Sequence, residues 1–509
     1  MAPTNCEATR RTAFWSVVTI AYFVTHCTFS IAADLHVDPI RGDDAANGHE
    51  RPVKSIAAAI RLATPGDTIH LLPNITYHDW AAFFDKSGEP DKLITLDGHG
   101  ATLDGCDPLD VSGWIEVEAG LFCHDDLLPL TDAIIDRWFF VMNGQLNRMR
   151  RCSKGPSEPL KIPMDLLPGE WTFVKDMDRT KTARNGYILG TFWLRLTRGQ
   201  TLSDAKIEFP ARPAGVLIRG SSSHLIIRNL TSTRPYNDGF NLSDCQDVTF
   251  ERIKAINCGD DGISAHGHCR YSVDGLESIG NATGICDTGT SETDYQNVRI
   301  RDCIGFDLFF LDSGQYTIRD AEVISTAAKA LYLQGREVPA EPCRVTLDNV
   351  VIRRAQTANE IRVSANCVLR AKRVSLINLD VQATGGIIEI QRSFIGGTVP
   401  AHPPRKPTLH LWEDTEWRAN GNWYDLESAR VGQTLFTGTQ LEAFGRVVAE
   451  ESGSRWCAGT ETDAQAAGIG ANRFPAQATD RCLAIGGKSP YVIRPRLSRS
   501  RNNQQQPDG

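Results

Sequence analysis

Between positions 215 and 380, apolar residues come in bursts of three to five, separated by Gly, Asn and Asp, with no 3.6-residue period. Such bursts read as short strands bounded by turns. Three segments align without gaps at a spacing of 23: Gly215-Val216-Leu217-Ile218, Asp238-Gly239-Phe240-Asn241-Leu242 and Asp261-Gly262-Ile263-Ser264-Ala265. A second apolar position, Ile227, Phe250 and Val273, keeps the same spacing and is expected to continue through Ile300, Ile318, Leu347 and Leu369. A unit this short cannot bury its own apolar residues, so neighbouring units must stack. The pattern predicts an all-β solenoid, a right-handed parallel β-helix over 211–410, with Phe240 over Ile263 and rungs about 4.8 Å apart. The leucine–asparagine signature of leucine-rich repeats is missing.

The flanks read differently. Leu35–Asp38 (LHVD) is strand-like, and Pro52–Ala63 is an amphipathic helix with Val53, Ile56, Ala57, Ile60 and Ala63 on one face. Pro65-Gly66-Asp67 stops it, and Thr68–Leu72 opens the first rung. A solenoid end exposes apolar surface and unpaired strand edges, so a helical cap is expected over 34–106 together with the first rungs. Strand, loop, helix and P-G-D-T-I in this order resemble the secreted β-helix proteins of the pectin-lyase-like superfamily. That resemblance implies the fold over roughly 34–410 and no single activity. Residues 107–210 break the repeat and carry Trp114, Trp138, Trp171 and Trp193. They read as an inserted β-rich module, either the wall of a substrate cleft or a purely structural addition. Residues 411–492 read as an irregular C-terminal cap, and 493–509 as a polar, disordered tail.

Composition narrows the partners. With 62 acidic and 54 basic residues the net charge is −8, and no basic tract marks the folded region, which argues against nucleic acid. Arg10 and Arg11, the apolar run Ala13–Val24 and the small residues Ser30-Ile31-Ala32-Ala33 predict a signal peptide over 1–33. The mature protein is then secreted, periplasmic or on the cell surface, with no membrane contact once the signal is cleaved. Its removal takes Cys6 and Cys27 and leaves twelve cysteines. In an oxidising compartment Cys457 with Cys482, and Cys106 with Cys123, are disulfide candidates. The cysteines from Cys245 to Cys367 fall inside repeats, where a buried small apolar role is at least as natural. No C-x-x-C occurs, and His266-Gly267-His268 lacks an identifiable third ligand, so no metal site is assigned.

The chemistry concentrates where the rungs begin. Asp238 and Asp261 are one period apart, Asp260 adjoins Asp261, and Asp307 lies two periods on. Crowded carboxylates raise one another's pKa, and an acid beside a base is what glycosidic hydrolysis needs. Tyr236-Asn237-Asp238-Gly239-Phe240 and Cys258-Gly259-Asp260-Asp261-Gly262-Ile263 resemble the paired motifs of the polygalacturonase family of inverting glycoside hydrolases. The resemblance implies acid and water-activating roles for Asp238, Asp260 and Asp261. The chain departs from that family in two places. Ala282-Thr283-Gly284 stands where the family has Gly-His-Gly, and Arg252-Ile253-Lys254 precedes the aspartates instead of following them. Pectin is therefore not implied. His266 is a candidate proton shuttle or an ordinary turn histidine, and Asn237, Asn241 and His268 are candidate substrate contacts. The aspartates themselves are open to three readings: catalysis, a turn ladder, or a calcium site. No other cofactor is expected. The functional expectation is a glycoside hydrolase acting on a polysaccharide or oligosaccharide. A polysaccharide lyase, with Lys329 or Arg336 as base, and a non-catalytic carbohydrate-binding protein are the alternatives.

Overall fold

The computed structural model describes residues 32–472 apart from 129, 183–185, 356–359, 400 and 448–449. The signal segment up to Ile31, Cys482 and the tail 493–509 lie outside the described residues. Seven strands of ten to twelve residues, from Ser223–Thr233 to Cys367–Ile377, stack in parallel into one long sheet. Shorter strands, from Ala214–Arg219 through Asp238–Ser243 and Asp261–His266 to Asp380–Thr384, build a second parallel sheet. Each turn of the chain contributes one strand to each sheet, and the apolar residues between them form one continuous core.

Ile227, Phe250 and Val273 are register partners in that core, and Phe240 lies over Ile263. The column then runs through Tyr295, Ile318, Leu347 and Ala371. Ile300 instead aligns with Val323, and Leu369 with Val345, so two of the expected column members belong to neighbouring columns. The reason lies in the middle of each long strand. Asn229, Arg252, Gly275, Asn297, Asp320, Asn349 and Arg373 all have φ between 52° and 86°. This left-handed residue turns the strand, so each one carries two apolar stretches, and counting alone does not say which stretch faces which. Asn and Asp tolerate this conformation better than most residues, and Gly best.

Rung pairing does not stop at 410. Thr408–Leu411 pairs with Ser428–Val431, and Thr415–Asn420 with Gly386–Gln391. Trp417 is buried, and the helix Leu441–Val447 brings Phe444 against Trp417, Phe436 and Trp456. At the other end Asp34–Val37 pairs with Thr68–Leu71. The capping helix is Ile56–Leu62, and its N-cap Ser55 Oγ accepts from Ala58 N at 3.2 Å. It starts at Ile56 and not at Pro52, and its buried face includes Ala58 and Ala59 while Ala57 is exposed. No helix among the described residues is long and apolar enough to cross a membrane.

The segment 107–210 contributes most of two further four-stranded sheets around a separate core of Trp138, Phe140, Trp171, Phe192 and Leu194. Cys106 lies opposite Pro210 in one sheet and Cys123 opposite Trp193 in the other; both are free thiols, so the sequence-based pairing of these two is not formed. Cys457 is a free, exposed thiol.

Candidate active site

Asp238 and Asp261 each open a strand of the short-strand sheet, on adjacent rungs in register. The glycine after each is forced by crowding. A Cβ on Gly262 would lie 2.3 Å from Ser278 Oγ and 2.6 Å from the Gly284 carbonyl. Asp-Gly is thus a packing requirement of the rung here as well as a turn preference. Asp238 is held by the solenoid alone: its Oδ1 accepts from Asp261 N at 3.0 Å, and its Oδ2 from Ser264 Oγ at 2.7 Å and from Asn241 Nδ2.

Asp260 and Asp261 are met from the inserted module. Ser153 Oγ donates to Asp260 Oδ1 at 2.5 Å, Lys154 Nζ lies 3.0 Å from the same oxygen, and Arg137 Nη2 is 2.9 Å from Oδ2. Lys154 Nζ also reaches both oxygens of Asp261, at 2.5 and 2.6 Å. The hook that carries Lys154 is anchored by Arg148. Its buried guanidinium donates to the carbonyls of Cys258 (2.7 Å), Gly259 (3.3 Å) and Gly280 (3.4 Å). A few residues on, a Cβ at Gly155 would sit 2.7 Å from Gly305 Cα, so the two backbones touch. One oxygen from each of the three aspartates falls within 4.8 Å of the others, and none of the three residues is more than 2% exposed.

The environment drives the carboxyls apart. Burial opposes the charged form of Asp260, but Lys154, Arg137 and Ser153 outweigh it and hold its carboxyl below the usual range. Burial, then the charges of Asp260 and Asp238, push Asp261 well up against the pull of Lys154. Burial also works against the Lys154 ammonium, yet the carboxylates around it hold it well above its ordinary value. Between this adjoining pair the environment favours the protonated form at Asp261 and the ionised form at Asp260.

The other sequence candidates divide. Asn241 is in the cluster, and Asn237 Oδ1 accepts from Arg137 Nη1 at its edge. His266 ends the Asp261 strand with Nε2 at 3.3 Å from Ser264 Oγ, one hydroxyl away from Asp238; burial pushes its pKa down, with Asp238 opposing. His268 is outside: its Nδ1 faces Thr290 Oγ1 at 3.2 Å in an exposed turn. Asp307 is in the core against Ser325. Lys329 pairs with Glu360 at 2.6 Å and Arg336 with Asp312 at 2.9 Å. Thr283, which stands where the polygalacturonase-like pattern would have histidine, is the register partner of Asp261, and its buried hydroxyl has no hydrogen-bond partner among the described residues. Sequence reading missed Arg137, Ser153 and Lys154. The one signal was the basic run Arg148, Arg150, Arg151, Lys154 in an acidic chain. The carboxylate oxygens are suitable donors for a hard cation, but the Lys154 ammonium lies against two of the three groups and supplies the positive charge itself.

Residues 214–376 match the family model described as the right handed beta helix region. The solenoid is right-handed. No curated protein matches the chain. Among solved structures it is similar to a xylose complex of XylC at 11% identity and TM-score 0.46, over 79% of this chain and 86% of that one. It is similar to a glycoside hydrolase at 11% identity and TM-score 0.42, over 84% and 96%. A rhamnogalacturonan lyase aligns at 10% identity and TM-score 0.26, over 78% and 82%. These likenesses concern the course of the chain and not an activity.

Proposed function

We propose that the right-handed β-helix is a secreted carbohydrate-active enzyme, a glycoside hydrolase with Asp238, Asp260 and Asp261 as its acid–base group. The observation that supports this reading is the convergence of three carboxyls from adjacent rungs, with Asp260 held ionised and Asp261 pushed towards its protonated form. Such a split pair supplies a proton donor for the glycosidic oxygen and a carboxylate to orient or activate water. Asp261 is the donor; Asp260 and Asp238 handle the water. Hydrolysis is favoured over β-elimination because Lys154, the cation nearest the carboxylates, is held protonated and cannot abstract a proton. In this reading His266, at the exposed end of the Asp261 strand, contacts the sugar, and Asn241 holds Asp238. For substrate to reach the carboxyls the Lys154 hook has to lift, which makes the inserted module the gate of the site.

The near-complete burial of the aspartates favours a second reading. In it Lys154, Arg137 and the three carboxylates are an ionic clamp that seats the inserted module on the solenoid, and the protein binds glycans without cleaving them. A glycan panel scored for new reducing ends and for unsaturated sugars separates these readings. Reducing ends without unsaturation are the expected result, unsaturated products indicate a lyase, and no product from any glycan supports the clamp. N-terminal sequencing of exported protein is expected to start near Asp34.

A further inference from the structure

A histidine cluster at the N-terminal end of the solenoid takes no part in the proposed chemistry. His36 and His70 are register partners on the strands Asp34–Val37 and Thr68–Leu71, and His99 lies just beyond the neighbouring strand Ile94–Asp97. Their rings stack in a row, with centroids 5.3 and 5.2 Å apart and planes 22° and 20° from parallel. The three line one open groove of about 500 Å³.

The row is more than a stack, because the middle ring is oriented through both nitrogens. His70 Nε2 lies 2.9 Å from Asp34 Oδ1. A carboxylate only accepts, so Nε2 carries the hydrogen and Nδ1 of the neutral ring is a lone pair. That lone pair faces His99 Nε2 at 2.9 Å. On its far side His99 Nδ1 faces Asp97 Oδ1 at 3.6 Å, and Asp97 is itself fixed by Arg228 and Asn229. The outer nitrogen of His70 is bonded to a carboxylate, that of His99 faces one 3.6 Å away, and the two inner nitrogens converge. Histidines that ligate metals are oriented in this way. Two imidazole nitrogens on one tetrahedral zinc ion lie roughly 3.3 Å apart, so the 2.9 Å gap needs to open by a few tenths of an ångström and both rings need to tilt towards an ion beside the line that joins them.

We propose that His70 Nδ1 and His99 Nε2 bind a divalent first-row ion of the zinc class, with the exposed His36 ring turning in as third ligand and water completing the shell. The ion replaces the hydrogen shared between the two rings. That hydrogen moves to His99 Nδ1, on the side facing Asp97, so both rings stay neutral and only metal–nitrogen bonds form. Imidazole donors select zinc, copper or nickel over calcium. The ion would pin the first strands of the solenoid to one another at its open end.

The test uses untagged protein, freed of metal by dialysis against a chelator and then titrated with Zn²⁺ at pH 7.5 by calorimetry and by thermal melting. The expected result is one equivalent bound, a higher melting temperature, and no response to Ca²⁺. His70→Asn and His99→Asn should each weaken binding at least ~10-fold, as even outer-shell losses do. The metal-free melting temperature of each variant reports whether its fold is intact, and Asp261→Asn should bind zinc like the parent. Absence of zinc binding, undiminished binding in the His70→Asn/His99→Asn double variant, or binding lost with Asp261→Asn would each overturn the proposal. None of these outcomes bears on whether the aspartates hydrolyse a glycan.

Discussion

Lys154 sets the state of the candidate site. It pairs with two buried carboxyls, and removing it leaves Arg137 as the one cation in contact with them among the described residues. Breaking a buried ion pair at one end costs ~3–5 kcal/mol. Lys154→Met should therefore melt well below the parent at pH 8. At pH 5 the deficit should shrink, because the carboxyls, freed of their cation, take up protons on folding and no longer need one. Melting curves at the two pH values check this, and equal deficits would show that Lys154 contributes packing and not charge. Asp307 makes the complementary case, a fully buried carboxyl in which burial outweighs every other influence. Burial pushes its pKa up to about 8 although Ser325 donates to it. The folded state therefore favours its protonated form. The stability this provides is complete below the unfolded pKa near 3.8 and is lost as pH rises to about 8. Asp307→Asn keeps an acceptor for Ser325 and removes the titration. Its melting temperature relative to the parent should rise steadily from pH 4 to pH 8 and level off above. A difference that does not vary with pH would mean that Asp307 is not the titrating group.

Among the elements, the rungs were legible in the sequence wherever the repeat keeps its 23-residue spacing. Ile227, Phe250 and Val273 stack as their spacing requires. Phe250 is fully buried, with Phe240 and Tyr271 edge-on at 5.6 and 6.1 Å. Phe250→Asp should abolish cooperative folding or cost several kcal/mol, since an unpaired buried charge has neither water nor partner. Circular dichroism melts decide it, and a parent-like transition would contradict the register. Legibility fails at Ile300 and Leu369. There the interval changes, and the left-handed residue inside each strand makes two apolar stretches equally good matches. It fails again at residue 411, where uneven spacing hid rungs that the pairing of Thr408–Leu411 with Ser428–Val431 continues. The candidate site divides along the same line. Asp238, Asp260, Asp261 and Asn241 come together because the repeat brings them together. Arg137, Ser153 and Lys154 reach them from a module about a hundred residues away, and no local pattern encodes that contact. His268 shares a rung with Asp261 and points elsewhere, because the turn at Gly267 directs it to Thr290.

For the molecule as a whole, the solenoid and its inserted module form one catalytic site in the proposed reading and one clamped structure in its alternative. Asp261 distinguishes the two. Asp261→Asn preserves shape and turn preference while removing the proton that the site holds. It also relieves repulsion with Asp238 and Asp260 and gives up half of the Lys154 contact. The decisive measurement is the turnover of Asp261→Asn on whichever glycan the parent cleaves, taken with its melting temperature. Catalysis by these carboxyls predicts at least a ~10²-fold loss of turnover with a melting temperature close to the parent's. A variant that cleaves the glycan like the parent, or that loses activity only because it no longer folds, would contradict it.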